Sequence, residues 1–215
     1  MFTLIKREIE DMIVFFLLTI IITAILVGMM VYRVVIGGVN SQLMGVPSVM
    51  YTTFGTFPSI FLPLIAAAFG TSQMKLDRDK KISSFLATLA TTRKRILAAK
   101  IITGILWILL MILPIIVADA VLLKVFAIVV VPDAVLLVRM FVTFFLCSLA
   151  CYFFGLSIGW SSGKLLPALG VILVTPILVS LIVIKGAGSQ TIVFFVLFIA
   201  AAIIRTWQKF LSSSL

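Results

Sequence analysis

Few side chains in this sequence carry chemistry of their own, and their spacing narrows that chemistry further. There is no histidine, which removes the usual general base, the Ser-His-Asp arrangement and the commonest zinc ligand. The two cysteines, Cys147 and Cys151, stand four apart inside an apolar run rather than in a CxxC pair. At that spacing they read as inert packing thiols. Asp119 and Asp133 border an apolar segment and read as capping or headgroup-contacting carboxylates, not as an acid and base working together. Gly163-Lys164 lacks both the preceding glycine spacing and the following hydroxyl of a phosphate-binding loop. The expectation is a chain with no catalytic residue, no metal and no cofactor of its own.

The elements that hold these residues are membrane spans. Hydrophobic residues make up 63% of the 215 and charged residues 11%, against about 45–50% and about 25% in soluble domains. A chain this apolar cannot cover its surface with polar groups, so lipid is its solvent. An Asp, Lys or Arg at a helix centre costs roughly 2.5–3.5 kcal/mol on insertion scales, and the charge-free windows therefore mark the spans. They predict an all-α integral membrane protein, one transmembrane domain over 1–215, with six helices at about 13–32, 49–72, 101–122, 136–160, 165–184 and 189–207. The runs are apolar on every face and twice the length of a barrel strand, which excludes a β-barrel. The first run is too long for the core of a cleaved signal peptide.

Orientation follows from lysine and arginine. With the amino terminus inside, thirteen of the seventeen basic residues fall on the inner side. Only Arg33, Lys124, Arg139 and Lys185 fall outside. Both termini are expected in the cytoplasm, with the chain in the cell membrane. The net charge of +10 then reflects topology and anionic headgroups, not nucleic acid. Lys80, Lys81, Lys94, Arg95 and Lys100 are expected at that membrane surface.

Two segments say more. Near the amino terminus Phe2, Ile5, Ile9 and Met12 recur at helical spacing with Lys6, Arg7, Glu8, Glu10 and Asp11 between them. This predicts an amphipathic elbow helix over about 2–12, lying in the headgroup plane. The longest inner loop, about 73–100, opens with Lys75-Leu76-Asp77-Arg78-Asp79-Lys80-Lys81. Ser83 or Ser84 can cap a short helix whose Phe85, Leu86 and Leu89 form an apolar face, closed by Thr91 and Thr92 before Arg93. Apolar residues presented to the cytoplasm between two charge blocks suit a docking partner.

This arrangement resembles the permease subunits of type-2 ABC exporters. In that family an elbow helix precedes six spans, and the loop after the second span carries a coupling helix. The charged run, Phe85-Leu86-Ala87-Thr88, Thr92-Arg93 and Ile96-Leu97-Ala98-Ala99-Lys100 follow the family's order across about 25 residues. The family's Gly and Glu at the helix start are replaced here around Ile82 to Ser84, and Leu89 stands where its proline follows Thr88. Extracellular re-entrant helices between spans five and six have no room here, with only 185–190 joining them. The resemblance implies docking on a separate ATPase subunit through Ser83, Ser84, Phe85, Leu86, Leu89, Thr91, Thr92 and Arg93, with ATP and Mg on that partner. It also implies a second permease copy, or a related permease, to complete the pathway, with cargo left open among lipid-like, peptide and drug-like molecules.

Small residues recur every four positions at Cys147, Cys151, Gly155, Gly159 and Gly163, the pattern that lets helix backbones approach in lipid. They are assigned to packing within the subunit. Prolines free backbone carbonyls and bend helices, so Pro58 and Pro63, with Thr175 and Pro176, are candidates for lining the pathway. A second class fits the spans and the charge bias equally: an oligomeric channel, scramblase or assembly scaffold that needs no ATPase.

Overall fold

The structure, a computed structural model, describes residues 2–40, 58–79, 93–126, 134–159, 165–186 and 188–212. Every element among them is helical: α1 Phe2–Asp11, α2 Ile13–Asn40, α3 Pro58–Asp79, α4 Arg93–Phe126, α5 Ala134–Gly159, α6 Leu165–Lys185 and α7 Ser189–Ser212. Three stretches are long and apolar enough to cross a membrane, Arg95–Ala118, Val138–Gly159 and Ser189–Gln208. Shorter apolar helical stretches run over Ile13–Met29 and Leu169–Ile182. Ile20, Ile21, Leu113, Val117, Leu173, Ile177 and Leu197 stand exposed around the bundle, as a membrane-embedded protein requires.

Several helices run past the expected span ends, α2 to Asn40, α3 to Asp79 and α7 to Ser212. The helix that holds the expected span at 101–122 starts at Arg93, and the expected loop over 73–100 is helical at both of its ends. Charge fixes where a chain leaves hydrocarbon, but Lys, Arg and Gln are good helix formers, so the backbone keeps its hydrogen bonds well past that point. α6 stops where Gly186 takes φ 69°, a left-handed conformation that glycine adopts without a Cβ penalty. Its N–H donates to the Ile182 carbonyl at 2.8 Å, and the Thr191 hydroxyl donates to the Gly186 carbonyl at 2.9 Å.

Helix α5 is the hub. It packs against α3, α4, α6 and α7, while α2 lies mainly on α4, and α1 on α4 and α2. The small-residue series explains the closest of these contacts. A Cβ on Gly155 would run into the Ala67 carbonyl, and one on Gly159 would sit 2.8 Å from the Thr71 carbonyl. Gly70 answers from α3, where a Cβ would strike the Tyr152 carbonyl. Ala66, Ala67, Cys147, Ala150 and Cys151 are buried with them. Cys147 and Cys151 are free thiols. In lipid no hydrophobic effect pulls helices together, so backbone proximity and van der Waals contact must do so.

Substituting Gly155→Val therefore should force α3 and α5 apart and destabilise the bundle by roughly 1–3 kcal/mol, the range for overpacking. Gly28→Ala, where a Cβ meets nothing within 4 Å, should be neutral. Thermal denaturation of the detergent-solubilised variants, followed by size-exclusion chromatography, checks both.

Candidate functional site

The charged end of the bundle holds a buried polar cluster built from four helices. Lys100 lies on the second turn of α4 and is 1% exposed. An ammonium at that depth needs a counter-charge, because an unpaired buried ion is far costlier than a paired one. Glu8 of α1 supplies it: the Lys100 Nζ donates to Oε1 at 2.9 Å and to Oε2 at 3.1 Å. The Gln73 amide, from the last turns of α3, donates through Nε2 to Glu8 Oε2 at 3.3 Å. Its Oε1 accepts the Tyr152 hydroxyl of α5 at 2.8 Å. That hydroxyl also lies 3.0 Å from the Lys100 carbonyl oxygen. The amide orientation is dictated by chemistry, since turning it over would set its oxygen against the Glu8 carboxylate.

Local sequence explains why these side chains converge. Gly104 stands four residues after Lys100, and a Cβ there would overlap the Tyr152 ring. Its missing side chain is the slot in which the phenol lies. Beneath the polar layer comes an aromatic one. Phe69 stacks on Trp107 at 4.2 Å with the rings 6° apart and faces the Tyr152 ring at 6.2 Å. Phe15 and Phe16 of α2 meet Phe69 edge-on. The Trp107 indole N–H donates to the Thr19 hydroxyl at 3.1 Å, so its one polar atom is satisfied where it is fully buried. The rings separate the ion pair from the apolar body of the bundle. At the same end, Ser157 of α5 and Thr206 of α7 share a hydrogen bond at 3.1 Å.

Lys100 corrects the sequence reading. It was expected at the membrane surface with Lys94 and Arg95. Arg95 is exposed, but Lys100 points inward because Glu8, Gln73 and the Tyr152 ring close over it. Arg93 and Lys94 open α4. Ser83, Ser84, Phe85, Leu86, Leu89, Thr91, Thr92, Lys80, Lys81 and Gly163 lie outside the described residues. Of the pathway candidates, Pro58 starts α3 and Pro63 is buried within it. Thr175 of α6 is buried with no hydrogen-bond partner for its hydroxyl, as are Thr23 and Ser148. Pro176 beside it is exposed. α3 and α6 pack together, so Pro63 and Thr175 belong to neighbouring helices.

Glu8, Gln73, Gly104 and Tyr152 carried no site assignment from the sequence. A lone Gln at the end of a span and a Gly four residues past a Lys were the available signals. The polar groups of the cluster spend their hydrogen bonds on one another. What it offers is mechanical: one ion pair, the Gln73–Glu8 hydrogen bond and a single Tyr152 O–H shared between Gln73 and the Lys100 carbonyl tie α1, α3, α4 and α5 at a single point.

Lys100→Met removes the counter-ion of a partly buried carboxylate, so it should destabilise the folded chain by less than the roughly 3–5 kcal/mol of a fully buried pair. Tyr152→Phe removes one hydroxyl and should cost about 1–3 kcal/mol. Unfolding midpoints in mixed micelles give the order; equal effects would show that the hydroxyl matters as much as the ion.

No protein-family model, no curated protein and no solved structure matches this chain.

Proposed function

We propose that this chain is the permease subunit of an ATP-driven exporter of the type-2 ABC kind, spanning the cell membrane six times with both termini in the cytoplasm. It works as a dimer, with itself or with a related permease. ATP and Mg bind to a separate ATPase subunit, and the permease contributes no catalytic residue. The cargo classes that suit an uncharged helical pathway are lipid-like, peptide or drug-like molecules.

One observation carries the reading. The segment over 80–92, which holds Phe85, Leu86 and Leu89, is rooted in two helices, α3 and α4, and the roots are tied together. Gln73 and Lys100 both bind Glu8, and the one Tyr152 O–H is shared between Gln73 and the Lys100 carbonyl. A load applied to that segment from the cytoplasm therefore reaches α1, α3, α4 and α5 at once, instead of bending one helix. A transport subunit driven by a separate motor needs such a stiff root. The amphipathic α1 packed on α4 suits the elbow of that family. The distribution of charge agrees, since Lys6, Arg7, Lys75, Arg95 and Arg205 lie at the end where the cluster sits, while Arg139 and Lys185 lie at the other.

Replacing Phe85→Asp together with Leu86→Asp should leave membrane insertion intact and lower co-purification of an ATP-binding cassette subunit by about tenfold or more, as expected when apolar anchors are removed from an interface. Affinity purification of tagged chains from native membranes in mild detergent, with mass spectrometry, reads the result. Undiminished co-purification contradicts docking through this segment. Recovery of the unsubstituted chain alone, at several detergent strengths and with ATP present, points instead to a channel, scramblase or scaffold that works without an ATPase.

A further inference from the structure

The Glu8–Lys100 pair is an odd way to fasten a helix. Replacing a buried ion pair by apolar residues of similar volume is often neutral or stabilising, so such a pair is weak evidence for stability and is best attested where register or switching matters. Three features of α1 fit switching. First, α1 and α2 are separate helices that meet at Met12. The Met12 N–H is shared between the Glu8 and Ile9 carbonyls at 3.2 Å each, its carbonyl accepts the Phe16 N–H at 3.1 Å, and the residue is 2% exposed. Met12 is thus a seated pivot between two rods.

Second, α1 brings its own support. Lys6 pairs with Glu10 at 3.9 Å and Arg7 with Asp11 at 3.8 Å, both within the helix at i and i+4. Neither pair needs the bundle, and Lys6, Ile9, Glu10 and Asp11 are exposed. Among the described side chains of α1, Glu8 makes the polar attachment to the rest of the fold. Third, the groups that hold Glu8 stand on either side of the α3–α4 connection, Gln73 before it and Lys100 after it. Any change in spacing between α3 and α4 pulls the two donors apart and loosens the carboxylate. An amphipathic helix released in this way stays helical and lies in the headgroup layer.

We propose that α1 is a hinged latch: it pivots at Met12, and the Glu8–Lys100 ion pair, backed by Gln73 and Tyr152, holds it against α3 and α4 in one arrangement of the bundle and releases it in another. The pairing is short enough to define the docked state and expensive enough to make undocking a populated alternative. This goes beyond the transport reading and does not depend on an ATPase. It requires only that α1 has two positions.

The test uses the full chain in lipid nanodiscs, with Cys147→Ala and Cys151→Ala to clear the native thiols. Glu10→Cys on α1 and Arg205→Cys on α7 then carry spin labels for pulsed dipolar spectroscopy. The labelled parent should give two distance populations. Adding Lys100→Met should remove the docked population, because only the neutral Gln73 amide then answers the carboxylate. Adding Glu8→Leu with Lys100→Met should leave only the docked population, since an apolar seat has no reason to open. The charge-reversed pair, Glu8→Lys with Lys100→Glu, should regain both. A single population in the parent overturns the latch, as does an unchanged two-population distribution in the Glu8→Leu, Lys100→Met chain. Should Lys100→Met fail to fold, the parent and the apolar pair still decide the matter. Loss of ATPase co-purification would leave these distances untouched, so the two proposals fail separately.

Discussion

A lysine that is 1% exposed at the head of an apolar helix sets the terms for everything around it. An ammonium left unpaired at that depth is costly, and a carboxylate reaches it. The carboxylate nearest in space is 92 residues earlier in the chain. Bringing Glu8 to Lys100 fixes where α1 lies. Satisfying the carboxylate's second oxygen brings in Gln73, and satisfying Gln73 in turn brings in Tyr152. Tyr152 fits only because position 104 is glycine. Each partner is demanded by the one before it, and the chain of demands runs through four helices.

The rest of the bundle is arranged so that this knot can exist next to hydrocarbon. The stack of Phe69 on Trp107, with the Tyr152 ring alongside, lies between the ion pair and the apolar interior. There the rings lower the dielectric around the pair and strengthen it. The glycines of α3 and α5 let those helices touch backbone to backbone, which holds Phe69, Gln73 and Tyr152 at fixed depth. Small residues and charged residues thus serve one purpose. Close packing supplies the rigidity, and the ion pair converts it into a defined position for α1.

Much of this was legible in the sequence. The absence of charge over long windows marks helices that live in lipid, and the amphipathic spacing of Phe2, Ile5, Ile9 and Met12 marks a separate first helix; α1 ends at Asp11. The four-residue steps of Cys147, Cys151, Gly155 and Gly159 pick out a close-packing face, because small side chains at that period have few other uses in a membrane. The partners of that face were not legible. Ala66 and Gly70 on α3 make a single four-residue step beside Ala67, too short a series to mark a packing face by itself. Lys100 was misread for a physical reason: a lysine at the head of a span is ordinarily a headgroup anchor, and only the fold brings Glu8 within 3 Å of it. Gly104 gave no sign either, since its role is defined by a ring 48 positions away.

The central claim is that Glu8 and Lys100 act as one unit. A double-mutant cycle tests it most directly: unfolding free energies of the parent, Glu8→Gln, Lys100→Met and the combined variant, measured in one mixed-micelle system. Strong coupling, on the order of 2 kcal/mol or more, is the expected result, because each single change already removes the charge–charge attraction that the second change would remove. Effects that add within about 0.5 kcal/mol, as for independent sites, would contradict the account: α1 would then be held by something other than this ion pair.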